Sequence, residues 1–128
     1  CTEDDILIGR YGASVGKICT GKSGTFNVAL MKCELPTGIQ RRWFFYLLQS
    51  PHMQCFFQNK TRSAQAGFNQ GELYPYLVPL PPENEQFRIA QRLDELFSVI
   101  EKIERQLMQS KQESDLLLKA MLNKAFVL

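Results

Sequence analysis

A single histidine, His52, and four cysteines with no Cys-x-x-Cys pair leave this chain without the ligand spacing of a structural zinc site. Cys1, Cys19, Cys33 and Cys55 lie far apart, and three of them sit in apolar-rich segments, so reduced, buried thiols are expected rather than disulfides. No run of eighteen apolar residues occurs, which argues against a membrane-spanning helix, and the opening Cys-Thr-Glu-Asp-Asp has neither Met nor a basic, then apolar, leader. The expectation is a cytoplasmic protein, and a Cys1 start points to an excised piece of something longer. From Glu83 onward there is no proline and no glycine at all. Acidic residues are nearly as scarce in the body: between Ile6 and Pro82 eight Lys/Arg face only Glu34 and Glu72.

The stretch free of helix breakers begins at Leu80-Pro81-Pro82-Glu83-Asn84-Glu85-Gln86. A proline pair followed by about 42 residues without a breaker predicts an extended turn leading into one helix, 83 to about 124, some ~63 Å long. Leu93, Leu96, Ile100, Ile103 and Leu107 recur at steps of three and four, the seam of a coiled coil, with Glu101, Lys102, Glu104 and Arg105 on the other faces. The stripe falters at Ser110 and Ser114 and resumes with Leu117, Leu118, Met121 and Leu122. A body of about 80 residues cannot cover an apolar stripe of ~60 Å, so the helix predicts a partner surface. Leu93, Leu96, Ile100, Ile103, Leu107, Leu117 and Met121 are the expected pairing residues.

Within the body, Ile6-Leu7-Ile8 and Gly16-Lys17-Ile18-Cys19 read as short strands joined by a loop with glycines at 9, 12 and 16. Phe26 to Leu35 alternates in two phases, predicting one longer strand with a bulge. Pro36-Thr37-Gly38 is a turn, Gln40 to Ser50 a buried helix, and Pro51 the start of a second helix carrying Met53, Cys55, Phe56 and Phe57. The polar run from Gln58 to Gly67 reads as a loop. Asn69 is placed to cap a short turn at 70–74, and Tyr76 to Leu80 reads as a last strand.

The glycine loop fails as a phosphate cradle. A P-loop ending in Gly16-Lys17 would need glycine where Tyr11 stands, and Ile18 replaces the magnesium-binding hydroxyl. The dinucleotide spacing GxGxxG fails too. No nucleophile, base and orienting group stand together, and His52 reads as a structural or surface histidine, so no catalytic residue and no metal ligand is assigned. The residue types fit nucleic acid better, because Arg and Lys neutralise phosphates while Arg, Asn and Gln make bidentate contacts to base edges. Arg10, Lys17, Lys22 and Lys60 are the phosphate candidates. Tyr11, Arg62, Ser63, Gln65, Asn69 and Gln70 are the candidates for base edges or their immediate support.

Asp5-Ile6-Leu7-Ile8-Gly9-Arg10-Tyr11-Gly12, Val15-Gly16-Lys17, the aromatic helix ending Leu47-Leu48-Gln49-Ser50, Ala66-Gly67-Phe68-Asn69, and Val78-Pro79-Leu80-Pro81-Pro82 with Glu85-Gln86 and Ile89 follow one another in this order. The succession resembles the DNA-specificity subunit of type I restriction-modification enzymes. The resemblance implies an α+β target recognition domain whose N-terminal portion precedes Asp5, attached to a long helix that pairs in an antiparallel coiled coil. It implies a non-catalytic chain that binds double-stranded DNA and directs adenine methylation and restriction by partners. Those partners are methyltransferase subunits and a motor nuclease subunit, and S-adenosylmethionine, ATP and magnesium belong to them, with no cofactor in this chain. The expected layout is a recognition part at 1–82 and a spacer helix at 83–128, with a homodimer through the helix as one arrangement. The competing reading is a coiled-coil scaffold that binds protein and no DNA.

Overall fold

A computed structural model describes residues 1–61 and 67–127. The chain divides into two units, Cys1–Ala90 and Gln91–Leu128. The first is α+β. Strands β1 (Ile6–Gly9), β2 (Ile18–Cys19) and β3 (Leu30–Cys33) form an antiparallel sheet in the order β2-β1-β3. Ile8 pairs with Ile18 on one side and with Met31 on the other. Both outer strands therefore start beside Gly9, and the link between them must return along the length of β1.

Helices α1 (Arg41–Gln49) and α2 (Pro51–Thr61) supply most of the remaining core. Gln40 caps α1 by accepting the Trp43 N–H at 3.0 Å, and Trp43, Leu47 and Leu48 are buried at helical spacing. Ser50 ends α1 and its Oγ accepts the Met53 N–H of α2, while Pro51 takes the first helical position, where no N–H is needed. Met53 and Phe57, one turn apart, join Ile6, Ile8, Trp43 and Leu48 in the core. Leu7 is buried as well, on the opposite face of the sheet by strand alternation. Phe56, Phe57 and Phe68 form a ring cluster with centroids 5.4 to 5.9 Å apart.

Four expectations from the sequence are corrected. The strand expected from Phe26 to Leu35 is only Leu30–Cys33. Asn27 turns the chain first, its Oδ1 accepting the Ala29 N–H at 3.0 Å and its carbonyl the Leu30 N–H at 3.1 Å, which leaves Phe26 and Val28 exposed. Tyr76 to Leu80 is no strand. Prolines at 79, 81 and 82 donate nothing to a ladder, and this segment is tied instead to His52, whose carbonyl accepts from Tyr76 Oη at 2.9 Å and whose Nε2 meets the Leu77 carbonyl at 3.1 Å. The polar run starting at Gln58 is helical as far as Thr61, so Lys60 lies in the last turn of α2. The thiols are less buried than expected: Cys1, Cys19 and Cys33 are half-buried and Cys55 is exposed, all four free.

Helix α4 runs from Glu83 to Phe126, 44 residues. Its first two turns belong to the first unit, where Gln86 and Ala90 are buried. Gln86, 1% exposed, uses all of its amide: Oε1 accepts the Gln40 N–H at 2.8 Å, and Nε2 donates to the Pro81 carbonyl at 2.9 Å and the Gly38 carbonyl at 3.1 Å. One neutral side chain thus joins the Pro-Pro lead-in, the turn before α1 and the start of α4. In the second unit no described side chain is buried. Of the pairing residues, Leu96, Ile100, Ile103, Leu107, Leu117 and Met121 are exposed and Leu93 is half-buried. Ser114 Oγ donates to the Ser110 carbonyl at 2.9 Å, one turn back.

Candidate nucleic-acid interface

The glycine loop is a hydrogen-bonded corner. After β1 the chain makes a single 3-10 turn at Gly12–Ser14 and returns at Gly16, whose N–H donates to the Gly9 carbonyl at 3.0 Å. Gly16 has φ +77°, and a Cβ there would lie 2.5 Å from Cβ of Phe57, so only glycine lets the loop lie on α2. Gln54 of α2 fastens it, its Nε2 donating to the Gly16 carbonyl at 3.1 Å and the Leu48 carbonyl at 2.8 Å.

This corner meets the segment after α2. Tyr11 and Gly67 form an antiparallel bridge, and the Phe68 N–H donates to the Arg10 carbonyl at 3.1 Å. A Cβ on Gly67 would fall 2.6 Å from the Tyr11 ring, so the approach again requires glycine. Phe68, buried in the core, anchors the segment. Arg10 Nε donates to the Phe68 carbonyl at 3.4 Å, and its Nη2 donates to Tyr11 Oη at 3.2 Å. Its guanidinium carbon stands 5.1 Å from the centroid of the exposed Tyr11 ring. Arg10 and Tyr11 are thus held as one unit, with no carboxylate contact to Arg10 among the described residues.

Helix α3 (Gln70–Leu73) follows directly. Asn69 caps it, its Oδ1 accepting the Glu72 N–H at 3.0 Å while Glu72 Oε2 accepts the Asn69 N–H at 2.9 Å. Glu72 also forms an ion pair with Lys60 at 2.5 Å, and the carbonyl of Lys60 accepts the Gly67 N–H at 3.4 Å. The Lys60 ammonium, and then the Asn69 N–H, hold the Glu72 carboxyl below its ordinary value. Asn69 and Lys60 therefore build the segment in this conformation. Gln70 is the exposed first residue of α3.

One end of the sheet consequently collects Arg10, Tyr11, Lys17, Lys60, Asn69 and Gln70. Lys17 is exposed, and its carbonyl accepts the Gly9 N–H at 2.9 Å. Lys22 is not part of this group. It lies toward the start of β1, where Cys1 Sγ approaches its carbonyl at 3.5 Å and the neighbouring Gly21 N–H donates to the Glu3 carbonyl at 3.0 Å. Arg62, Ser63 and Gln65 lie outside the described residues.

The other cations of the body differ from these. Lys32 pairs with Asp5 at 3.1 Å and Arg41 with Asp4 at 2.8 Å, which accounts for two of the three acids before β1. The Thr2 N–H, and after it Lys32, keep the Asp5 carboxyl below its ordinary value. A cleft of about 320 Å³ beside these pairs is lined by Asp4, Asp5, Lys32, Glu34 and Arg41. Its charges are largely mutually satisfied. Lys17 and Lys22, by contrast, enter no ion pair among the described residues, and residues 6–33 contain no acid at all. Among the described residues no group of three or more His, Cys, Asp or Glu could hold a metal, and no helix is long and apolar enough to cross a membrane.

Two residues of the motif succession had no role assigned from the sequence. Phe68 anchors the polar segment, and Gln86 locks the start of α4. Gln86 stands one turn before Ala90 on the buried stripe, and a lone amide on an apolar face is the signal of a fully satisfied buried polar group.

Residues 1–110 match the family described as type I restriction modification DNA specificity domain. The chain belongs to that family. No curated protein and no solved structure matches it. The family places the chain among DNA-recognition specificity modules, which are not themselves catalysts.

Proposed function

We propose that this chain is the DNA-reading and spacing part of a type I restriction-modification specificity subunit, directing adenine methylation and restriction performed by partner subunits. The observation that carries the reading is the convergence of Arg10 and Tyr11 with Gly67 to Gln70, segments 58 residues apart in the chain, at one end of the sheet. Arg10, Lys17 and Lys22 contact phosphates, and Lys60 does so by exchanging Glu72 for a phosphate oxygen. Tyr11, Gln70, Arg62, Ser63 and Gln65 read base edges, while Asn69 supports Gln70 through its cap. Residues 1–82 carry recognition. Residues 83–128 form the spacer helix, whose stripe from Leu93 to Met121 pairs with a second helix in a coiled coil, in a homodimer or within a longer subunit.

The partners of this reading are double-stranded DNA, methyltransferase subunits and a motor nuclease subunit, in the cytoplasm. S-adenosylmethionine, ATP and magnesium act on those partners, and this chain contributes sequence choice. A gel-shift salt series tests it. Affinity for duplex DNA should fall at least tenfold between about 50 mM and about 200 mM salt, and Arg10→Ala should flatten that dependence. Salt-independent association with a protein, and no binding to DNA, would replace this reading with that of a scaffold.

A further inference from the structure

The connection between β2 and β3, residues 20–29, starts at one end of β1 and finishes at the other. Near its start, Gly21 and Gly24 donate their N–H groups to the Glu3 and Cys1 carbonyls at 3.0 and 3.1 Å. At its finish, the Ala29 carbonyl accepts the Arg10 N–H at 2.8 Å. Just before that bond, Asn27 Oδ1 accepts the Ala29 N–H. The turn thus holds Val28 in place, and Val28 is 78% exposed. A branched aliphatic side chain that the protein itself leaves in water stands one residue from the backbone partner of Arg10, at the end of the sheet that also holds Lys17.

We infer that Val28 is a further specificity residue of the DNA site, making apolar contact with the 5-methyl group of one thymine in the major groove. The inference rests on the DNA-reading function proposed above. Arg10 and Lys17, neither paired with a carboxylate among the described residues, favour a polyanion as the occupant of this end of the sheet. Among the groups a duplex exposes in its grooves, the thymine methyl is the apolar one, and a contact with it distinguishes T·A from the other pairs. Val28 is short and compact, suited to touching a methyl group, whereas the wedges that unstack base steps are longer side chains such as Phe, Leu or Met.

The test uses the full chain and duplexes carrying the sequence it selects from a random pool, with thymines replaced by uracil one at a time. At one position the loss of the methyl group should weaken binding about fourfold, the worth of burying one methyl group. Val28→Ala should abolish that difference at that position and leave the others unchanged, and Val28→Ile should retain it. Because Val28 is exposed, both variants should keep the unfolding midpoint of the parent. Salt-sensitive, sequence-selective binding with no uracil effect, or an effect that survives Val28→Ala, would overturn this inference and leave the DNA-reading function standing. If no duplex binds at all, both fall.

Discussion

In residues 1–90 a core of strand and helix side chains is buried, with Ile8, Leu48 and Phe57 at 1% exposure or less. In residues 91–127 no side chain is buried, and Ile103 and Leu107 stand 57% and 69% exposed. The first unit is specified by its own contacts. The second has local support only: ion pairs and amide contacts one turn apart are worth about 0.2–0.5 kcal/mol each, and helices of this kind draw most of their stability from packing of an amphipathic face. One unit buries its own apolar core, and the other leaves its apolar stripe in water.

The sharpest way to break this contrast is Phe57→Ala. It empties the centre of the ring cluster and should lower the stability of the first unit by about 3–5 kcal/mol in urea unfolding. A loss under about 1 kcal/mol would show that the core is held elsewhere. Next comes Gln86→Leu, which keeps the apolar volume and removes three hydrogen bonds, leaving the Gln40 N–H and two carbonyls unmet. The expected cost is about 2 kcal/mol by the same measurement. A neutral result would mean that water or a shifted turn replaces the amide.

Smaller effects sharpen the other side of the contrast. Replacing Ile103 and Leu107 together by serine should change the unfolding of the first unit by less than about 0.5 kcal/mol. It should abolish any rise of helical circular dichroism with protein concentration, and a parent chain with no such rise would argue against helix pairing. The smallest effect is acid sensitivity. Glu72 and Asp5 titrate below their ordinary values of 4.5 and 3.8, so the stability they contribute is present above those values and fades as the pH falls through the lower folded-state ones. Glu72→Gln should therefore shallow the decline of the urea midpoint below about pH 4.5, and an unchanged profile would remove the Lys60–Glu72 pair from the account.

The parts of the fold that follow local rules were legible in the sequence. Pro51 starting α2, Asn69 capping α3 and the breaker-free run giving α4 depend on neighbours a few residues away. What could not be read depends on distant partners. Val28 alternates like a strand residue, yet Asn27 turns the chain before the ladder begins, and Tyr76 to Leu80 bonds to His52 rather than to an edge strand. Lys60 belongs to a helix that the polar composition from Gln58 on concealed. For the candidate site the sequence supplied residue types and two separate segments. Their meeting through Tyr11 and Gly67, and the engagement of Lys60 and Asn69 with Glu72, are tertiary facts.

The lock at Gln86 carries no net charge at any ordinary pH. Screening that loosens cationic contacts with DNA leaves an amide hydrogen-bonded to a backbone N–H and two backbone carbonyls in a dry site untouched. Changing ionic conditions therefore leave the first turns of the long helix seated against the Gln40 N–H and the Gly38 and Pro81 carbonyls, however strongly they weaken contacts made by charge.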